Sequence, residues 1–120
     1  MNKYTEVSDF EINMLIARVN DGIHIDDKRT AIDCYIHSQS SPSSVRVWDG
    51  DIGYLTFDFC NNPADAMPII IDSKIAAVPQ LNGDLWVCSR HPFYVTTNNL
   101  YRAAMELFLL MKDAENSNGN

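Results

Sequence analysis

Two Cys-x-x-His pairs form the most metal-like pattern in the chain. Cys34 lies three residues before His37, and Cys88 lies three residues before His91. Zinc prefers thiolate and imidazole ligands, and two such pairs would complete a tetrahedral site. Residues three apart on a strand point to opposite faces, so Cys34 and His37 would share a metal only at a bulge. We therefore expect no metal site and no cofactor.

Cys60 is the candidate nucleophile. It adjoins a predicted helix start, where the positive end of the helix dipole lowers the pKa of a thiol. Catalysis would also need a neighbouring histidine, and nothing in the sequence brings His24, His37 or His91 to it. The three cysteines are far apart, which is more typical of reduced, buried side chains. We expect no enzyme, and a weak cysteine-dependent enzyme is the third hypothesis behind two binding functions.

Amide and aromatic side chains offer the first binding hypothesis. Asn61, Asn62, Asp65 and the N–H groups of a short helix could line a small-ligand pocket with nearby Tyr54 or Trp86. Helix N-termini favour anions, although Asp65 would partly oppose them. In the other interpretation the asparagines cap the helix and turn the chain, and the rings belong to the core or the sheet.

An acidic segment offers the second binding hypothesis. Five aspartates and no lysine or arginine occur between Arg46 and Lys74. Asp49, Asp51 and Asp58 would belong to an acidic face that recognises a basic partner. The same pattern is also typical of solvated aspartates in turns and caps.

Amphipathic helices are predicted near both ends of the chain. Residues 8–11 form a Ser-x-x-Glu capping box before the first helix, which should end at Asp21-Gly22, and Asn98 or Asn99 should cap the last helix. Residues 116–120 read as a disordered tail. Each helix has an apolar stripe at helical spacing: Ile12, Leu15, Ile16 and Val19 on the first, and Leu100, Ala103, Ala104, Leu107, Phe108 and Met111 on the last.

The middle of the chain is strand-rich. Alternation predicts a strand over residues 29–38, a hairpin of residues 45–48 and 52–59, a second hairpin of residues 74–80 and 84–90 around Asn82-Gly83, and a strand over residues 93–97. Pro79 places its strand at a sheet edge. Between the hairpins, Asn62 and Pro63 begin a short helix, and Pro68 should kink or end it.

These elements predict an α+β fold, in which two terminal helices and a short middle helix pack on an antiparallel or mixed sheet. The chain has 120 residues, enough for one domain, which we place at residues 1–115. The apolar runs are too short for a membrane span, and no signal region precedes the first helix. The net charge is −7 with scattered basic residues, which argues against direct nucleic-acid binding. We expect a cytoplasmic protein.

Three segments together resemble the NinX family of lambdoid phages. They are SDFEIN at residues 8–13, CNNPADA at 60–66 with PII at 68–70, and LYRAAM at 100–105. In that family a tryptophan usually stands where Met67 does here, and a proline where Asn99 does. The missing ring removes one candidate platform for a stacked ligand.

The resemblance implies a small α/β sandwich and a phage or prophage accessory protein that acts in the bacterial cytoplasm. Such genes lie in the nin region, among accessory genes for recombination and host takeover, and no catalytic residue can be carried over. Our leading hypothesis is a non-enzymatic protein that binds and modulates a host component, in the setting of counter-defence. The alternative is a protein that binds or sequesters a nucleotide signal. A homodimer is compatible with so small a chain.

Overall fold

The computed structural model describes residues 2–20, 43–48, 54–81 and 83–118. The strand predicted over residues 29–38, with Cys34 and His37, lies outside these ranges, as do His24 and residues 49–53 between the strands of the first predicted hairpin. The described helices and strands follow in chain order: α1 (Asp9–Val19), β1 (Val45–Trp48), β2 (Tyr54–Phe57), α2 (Pro63–Asp72), β3 (Ala76–Pro79), β4 (Trp86–Arg90), β5 (Phe93–Thr97) and α3 (Leu100–Asn118).

The three helices in the described part of the chain begin at the predicted caps. The Ser8 hydroxyl accepts a hydrogen bond from the Glu11 N–H at 3.1 Å, and the Asn62 side chain accepts one from the Ala64 N–H. Asn99, rather than Asn98, caps α3. These contacts satisfy N–H groups that have no partner within the helix.

The strands form two antiparallel sheets. β1 pairs with β2, with Val45 opposite Phe57, and the second sheet has the order β3-β4-β5. Both predicted hairpins are therefore confirmed, and Pro79 does lie on an edge strand. Gly83 has a φ of +100°, which explains why glycine is suited to the β3–β4 loop. The His91–Pro92 peptide between β4 and β5 is cis.

Pro68 was predicted to kink or end α2, and it does not end the helix. The helix continues to Asp72, with Pro68 in its interior. Pro68 removes the N–H that would bond the Ala64 carbonyl, but both residues are exposed, so water can hydrate that carbonyl. Ile69 and Ile70 are buried beyond the proline. Burial stabilises each by roughly 1.5–3 kcal/mol, which offsets the roughly 3 kcal/mol that an interior proline costs.

The C-terminus of α2 is a Schellman motif. Lys74 adopts a left-handed conformation with φ +55°. Its N–H donates to the Ile71 carbonyl at 3.1 Å, and the Ile75 N–H donates to the Ile70 carbonyl at 3.0 Å. These two hydrogen bonds satisfy carbonyls at the helix end and turn the chain into β3.

Helix α3 is the centre of the fold. It packs against β4 and β5 and also against α1 and α2. Every residue from 103 to 109 is buried, including Glu106, so the buried part of the helix is wider than the predicted apolar stripe. The helix also extends to Asn118, past residue 116, where a disordered tail was predicted. None of the helices in the described ranges is both long and apolar enough to cross a membrane.

The arrangement confirms the α+β class. The inner face of the three-stranded sheet contributes Cys88 and Val95, which lie opposite each other and are buried beneath α3. The junction between β2 and α2 approaches α1 and the start of α3. Polar side chains gather at this junction.

Candidate functional site

Asp58, which follows β2, is held in place by several donors. Its Oδ1 accepts from Asn13 Nδ2 at 2.9 Å, and its Oδ2 accepts from Ser43 Oγ at 2.7 Å. Asn61 Nδ2 lies 3.1 and 3.3 Å from the two oxygens. The Asp58 N–H donates to Asp65 Oδ2 at 2.8 Å. The carboxylate therefore has a fixed orientation.

Asn13 is a fully buried polar side chain on α1. Its Nδ2 also donates to the Ser43 carbonyl at 2.9 Å, and its Oδ1 accepts from the Cys60 N–H at 3.0 Å. The sequence alone did not identify Asn13 as a member of the site. The available signal was an amide placed beside Ile12 and before Ile16 on an apolar helix face, where a polar group needs partners.

Arg102 on α3 joins the N-terminal segment to the helix. Its side chain is 11% exposed. Nε lies 2.7 Å from Glu106 Oε2, and one terminal nitrogen lies 2.7 Å from Asp9 Oδ1. The other terminal nitrogen donates to the Tyr4 and Val7 carbonyls at 2.7 and 2.6 Å. Burial opposes the charged form, but the hydrogen bonds to Glu106 and Asp9 raise the pKa of Arg102 overall.

Asn61 connects these two groups. Its Nδ2 lies 3.2 Å from Asp9 Oδ2, and its Oδ1 accepts from Asn99 Nδ2 at 3.1 Å. Asn99 Oδ1 accepts from the Tyr101 N–H, which caps α3, while its Nδ2 also donates to the Cys60 carbonyl at 2.9 Å. The segments at residues 8–13, 60–70 and 100–105, far apart in the chain, thus meet in one polar network.

A surface pocket of about 310 Å³ lies beside this network. Its lining residues, all of them polar except Pro63, are Ser44, Thr56, Asp58, Asn61, Asn62, Pro63 and Asp65. Two of these residues are carboxylates, and none of the described residues in the lining is basic. We refer to these seven residues as the acidic pocket.

The electrostatics of the acidic pocket favour a cation. Partial burial raises the pKa of Asp65, and the nearby Asp58 charge acts in the same direction. The Ala64 N–H at the start of α2 is already bonded to Asn62. A helix start with its own cap and a first-turn carboxylate is a poor anion site, whereas an ammonium or guanidinium group would find hydrogen-bond acceptors.

Four predicted binding residues come together in the acidic pocket. Asn61, Asn62 and Asp65 were expected to bind a ligand and Asp58 a partner, and all four line the same concavity. The cap and the binding interpretations of the asparagines are compatible, since Asn62 caps α2 from within the lining.

The other predicted binding residues lie elsewhere or outside the described part of the chain. Trp86 is half-buried at the start of β4 and is not part of the lining. Tyr54 begins β2, but its side chain is outside the part of the protein that the structure describes. Asp49 and Asp51 are also outside the described ranges.

The two described cysteines are free and fully buried, as predicted. The expectation that the helix start lowers the pKa of Cys60 is wrong. Burial, and then the Asp9 charge, raise that pKa, because desolvation of a thiolate outweighs the partial charge of a helix end. Burial likewise raises the pKa of Cys88 to about 11.

Cys88 does not face outward with its Cys-x-x-His partner. Its Sγ lies 3.5 Å from the Leu100 carbonyl in the core, whereas His91 is exposed in the β4–β5 turn. Within the described ranges, no three histidine, cysteine or acidic side chains are grouped so that they could hold a metal.

The chain matches the model of a known protein family. The family model described as Bacteriophage P22, NinX matches residues 3–112, a range that includes all three segments of the polar network. No curated protein and no solved structure matches the chain.

Proposed function

The chain belongs to the NinX family of bacteriophage proteins. We propose that it is a non-enzymatic accessory protein that binds and modulates a protein of the bacterial host. Counter-defence in the host cytoplasm is the proposed setting. The acidic pocket is the proposed contact site, and a lysine or arginine side chain of the host protein is the group that it receives.

The observation that supports this proposal is the fixed pair of carboxylates in the acidic pocket. The Asp58 N–H donates to the Asp65 carboxylate. Hydrogen bonds from Asn13, Ser43 and Asn61 fix the orientation of the Asp58 carboxylate. Fixed acceptors lose little conformational entropy when a charged donor arrives. The net charge of −7 would also accelerate association with a basic surface.

The cysteines support a non-enzymatic role. Cys60 was the only nucleophile that the sequence suggested, and its thiol is fully buried with a raised pKa. Nucleophilic catalysis requires an accessible thiolate, which such an environment disfavours.

A charge introduced at the rim of the acidic pocket tests the proposal. Thr56 is exposed on β2 and lines the pocket, so Thr56→Lys places an ammonium group there without removing a side chain of the polar network. Charge reversal of Asp58 itself is unsuitable, because that carboxylate accepts hydrogen bonds from three side chains. Gln80→Lys, at an exposed position after β3, adds the same charge elsewhere.

Quantitative affinity purification from host lysate gives the readout. We expect the amount of captured host protein to fall about tenfold with Thr56→Lys and to remain unchanged with Gln80→Lys. Capture by the wild-type protein should also decline as salt is added. Equal capture by all three proteins would exclude the acidic pocket as the contact site.

A small-ligand function is the second candidate, because the pocket volume of about 310 Å³ reaches the lower end of the range for ligand sites, roughly 300–1,000 Å³. Asn61 and Asn62 offer amide groups that would pair with the edge of a nucleobase, while Asp58 and Asp65 oppose a phosphate. Thermal-shift measurements with cyclic and adenine nucleotides test this candidate. A melting temperature that stays constant throughout would count against nucleotide binding.

A further inference from the structure

Strand β5 is an edge of the three-stranded sheet. The strand order is β3-β4-β5, and within the described part of the chain no strand pairs with β5 on the side away from β4. An edge strand presents a row of backbone N–H and C=O groups that another strand can bind. The hydrogen-bond register of the sheet determines which residues of β5 present these groups.

The outward-facing groups of β5 belong to Tyr94 and Thr96. The Gln80 N–H donates to the Leu85 carbonyl at 2.9 Å. Hydrogen-bonded pairs recur at every second residue of an antiparallel ladder, so the odd-numbered residues of β4 bond toward β3 and the even-numbered ones toward β5. The even-numbered residues of β4 lie opposite the odd-numbered residues of β5. The N–H and C=O groups of Tyr94 and Thr96 therefore point away from the sheet.

The two edges of this sheet differ in their protection. On β3 the same register turns Ala77 and Pro79 outward, and a proline has no N–H to offer to a further strand. β5 has the sequence FYVTT, without the proline or charged side chains that commonly protect an edge. Its aromatic and β-branched residues also favour an extended conformation. β5 is therefore the edge that is open to a further strand.

A cavity of about 400 Å³ lies along this open edge. Its lining includes four consecutive residues of β5, 94–97. Neighbouring side chains on a strand point to opposite faces: Val95 is buried beneath α3, whereas Tyr94 is 71% exposed on the other face. A cavity that touches both residues borders the backbone edge of the strand rather than one face of the sheet. The lining is completed by Asn2, Thr5 and Glu106.

Charge determines the kind of segment that this edge would accept. Glu106 contributes a carboxylate to the lining, and none of the described lining residues is basic. The chain as a whole has a net charge of −7, which disfavours an acidic segment and a second copy of the chain. In an added strand, the residue opposite Val95 would point to the same face as Val95, toward the part of the cavity that Glu106 lines. A basic residue suits that position.

We propose that the open edge of β5 binds an extended segment of a partner protein by strand addition. The segment pairs antiparallel to β5 through the backbone groups of Tyr94 and Thr96. It carries β-branched residues opposite those two positions and a lysine or arginine opposite Val95. Backbone hydrogen bonds provide the affinity, and the alternating side chains provide the specificity. The site is separate from the proposed host-protein contact, since the cavity and the acidic pocket share no residue.

Amide hydrogen exchange, followed by NMR on the full-length protein, tests the pairing. The probe is the peptide Ac-Thr-Val-Lys-Val-Thr-NH2, for which we expect a dissociation constant of about 1 mM. At about 5 mM it should slow exchange of the Tyr94 and Thr96 amides about sixfold. The outward amide of Ala77, on the other edge, should be unaffected. Unchanged exchange at residues 94 and 96, or equal slowing at residue 77, would overturn the proposal.

A variant pair tests the role of the outward N–H. Thr96→Pro removes that N–H without removing a hydrogen bond to β4, as Pro79 does on β3, and should weaken peptide binding at least about fivefold. Thr96→Val keeps the N–H and a similar shape and should bind as the wild type does. Unchanged binding by Thr96→Pro would refute strand addition.

Two altered peptides test the same points on the unmodified protein. A peptide N-methylated at both valines cannot donate to β5 and should leave the exchange rates unchanged at about 5 mM. A peptide with glutamate in place of lysine should bind at least about fivefold more weakly. Equal binding by the N-methylated peptide would refute strand addition, and equal binding by the glutamate peptide would refute the basic character of the segment.

Exchange in the protein alone distinguishes the other possible occupants. Without a partner, the Tyr94 and Thr96 amides should exchange at least about tenfold faster than those of Val95 and Thr97, which bond to β4. Slow exchange that appears only at high protein concentration would assign the edge to a second copy of the chain. Slow exchange at every concentration would show that the edge is already paired within the chain. Either result would overturn the assignment to a partner segment.

Discussion

Replacing Asn13 by alanine should lower the free energy of unfolding by about 3 kcal/mol. The substitution removes three hydrogen bonds of a buried side chain, to the Ser43 carbonyl, Asp58 Oδ1 and the Cys60 N–H. Each is worth roughly 1 kcal/mol, and the abandoned Cys60 N–H makes the loss larger if water cannot reach it. A loss of this size is a large part of the roughly 5–15 kcal/mol of stability that is typical of a small domain.

Asn13→Asp should cost about 1–2 kcal/mol more than Asn13→Ala at neutral pH. One new carboxylate oxygen would still accept from the Cys60 N–H. The other oxygen would take the place of Nδ2, which now donates to Asp58 Oδ1 and to the Ser43 carbonyl at 2.9 Å each. An acceptor would then face two other acceptors. Two carboxylates in contact repel each other, and this repulsion raises the pKa of the introduced carboxyl group, which is buried at position 13.

The pH dependence of Asn13→Asp identifies the cause of its extra cost. The introduced carboxyl has a higher pKa in the folded state than its unfolded value of about 3.9. Its penalty is therefore absent below the unfolded pKa and develops as pH rises through the folded pKa. The stability difference between Asn13→Asp and the wild type should consequently be smaller at about pH 5 than at about pH 7.

Urea unfolding followed by tryptophan fluorescence measures these differences. Asn98→Ala and Asn98→Asp make the same changes at an exposed position and should alter stability by less than about 0.5 kcal/mol. A cost of under about 1 kcal/mol for Asn13→Ala would refute the structural role of these hydrogen bonds. An Asn13→Asp variant at least as stable as Asn13→Ala at neutral pH would refute the repulsion between the two carboxylates.

Three further substitutions test the charges and the backbone around the site. Arg102→Lys should destabilise the protein by about 2–4 kcal/mol, because one ammonium group cannot reproduce the four contacts of the guanidinium. Arg18→Lys, at an exposed position, is the control. Equal urea midpoints for the two variants would contradict the predicted loss of stability. Lys74→Gly should stabilise the protein by about 0.5–1 kcal/mol, because glycine adopts a φ of +55° without strain; a lower urea midpoint would disprove it. Asp65→Asn should gain stability relative to the wild type as pH rises from about 4 to 7, because burial raises the pKa of Asp65 and its deprotonation disfavours the folded state. A difference that does not vary with pH would be the contrary result.

The helix caps were predictable from the sequence because a cap acts over two or three residues. The side chains of Ser8, Asn62 and Asn99 each accept from a backbone N–H two or three residues later in the chain. The β3–β4 hairpin was predictable for the same reason. Local patterns were insufficient at Pro68, where the burial of later residues on α2 against the core outweighs the local preference for a helix end.

The polar network was not predictable, because its partners are far apart in the chain. Asn13 bonds residues 30, 45 and 47 positions later, and Arg102 bonds Asp9 across 93 positions. A capping-box pattern explains Asp9 as an acidic residue in the first turn of α1, without reference to an arginine on another helix. Only the packing of α1 against α3 reveals the second role of that carboxylate.

The contacts of Arg102 have a consequence for how the chain is completed in the cell. The Tyr4 and Val7 carbonyls precede their arginine partner by 98 and 95 residues. A ribosome that adds roughly 5–20 residues per second needs on the order of 5–20 s to make that interval. During this time the apolar face of α1 has no α3 to pack against. The nascent chain therefore exposes the apolar face of α1 until α3 has been made. Chaperones and proteases of the host have the most access to α1 during this interval.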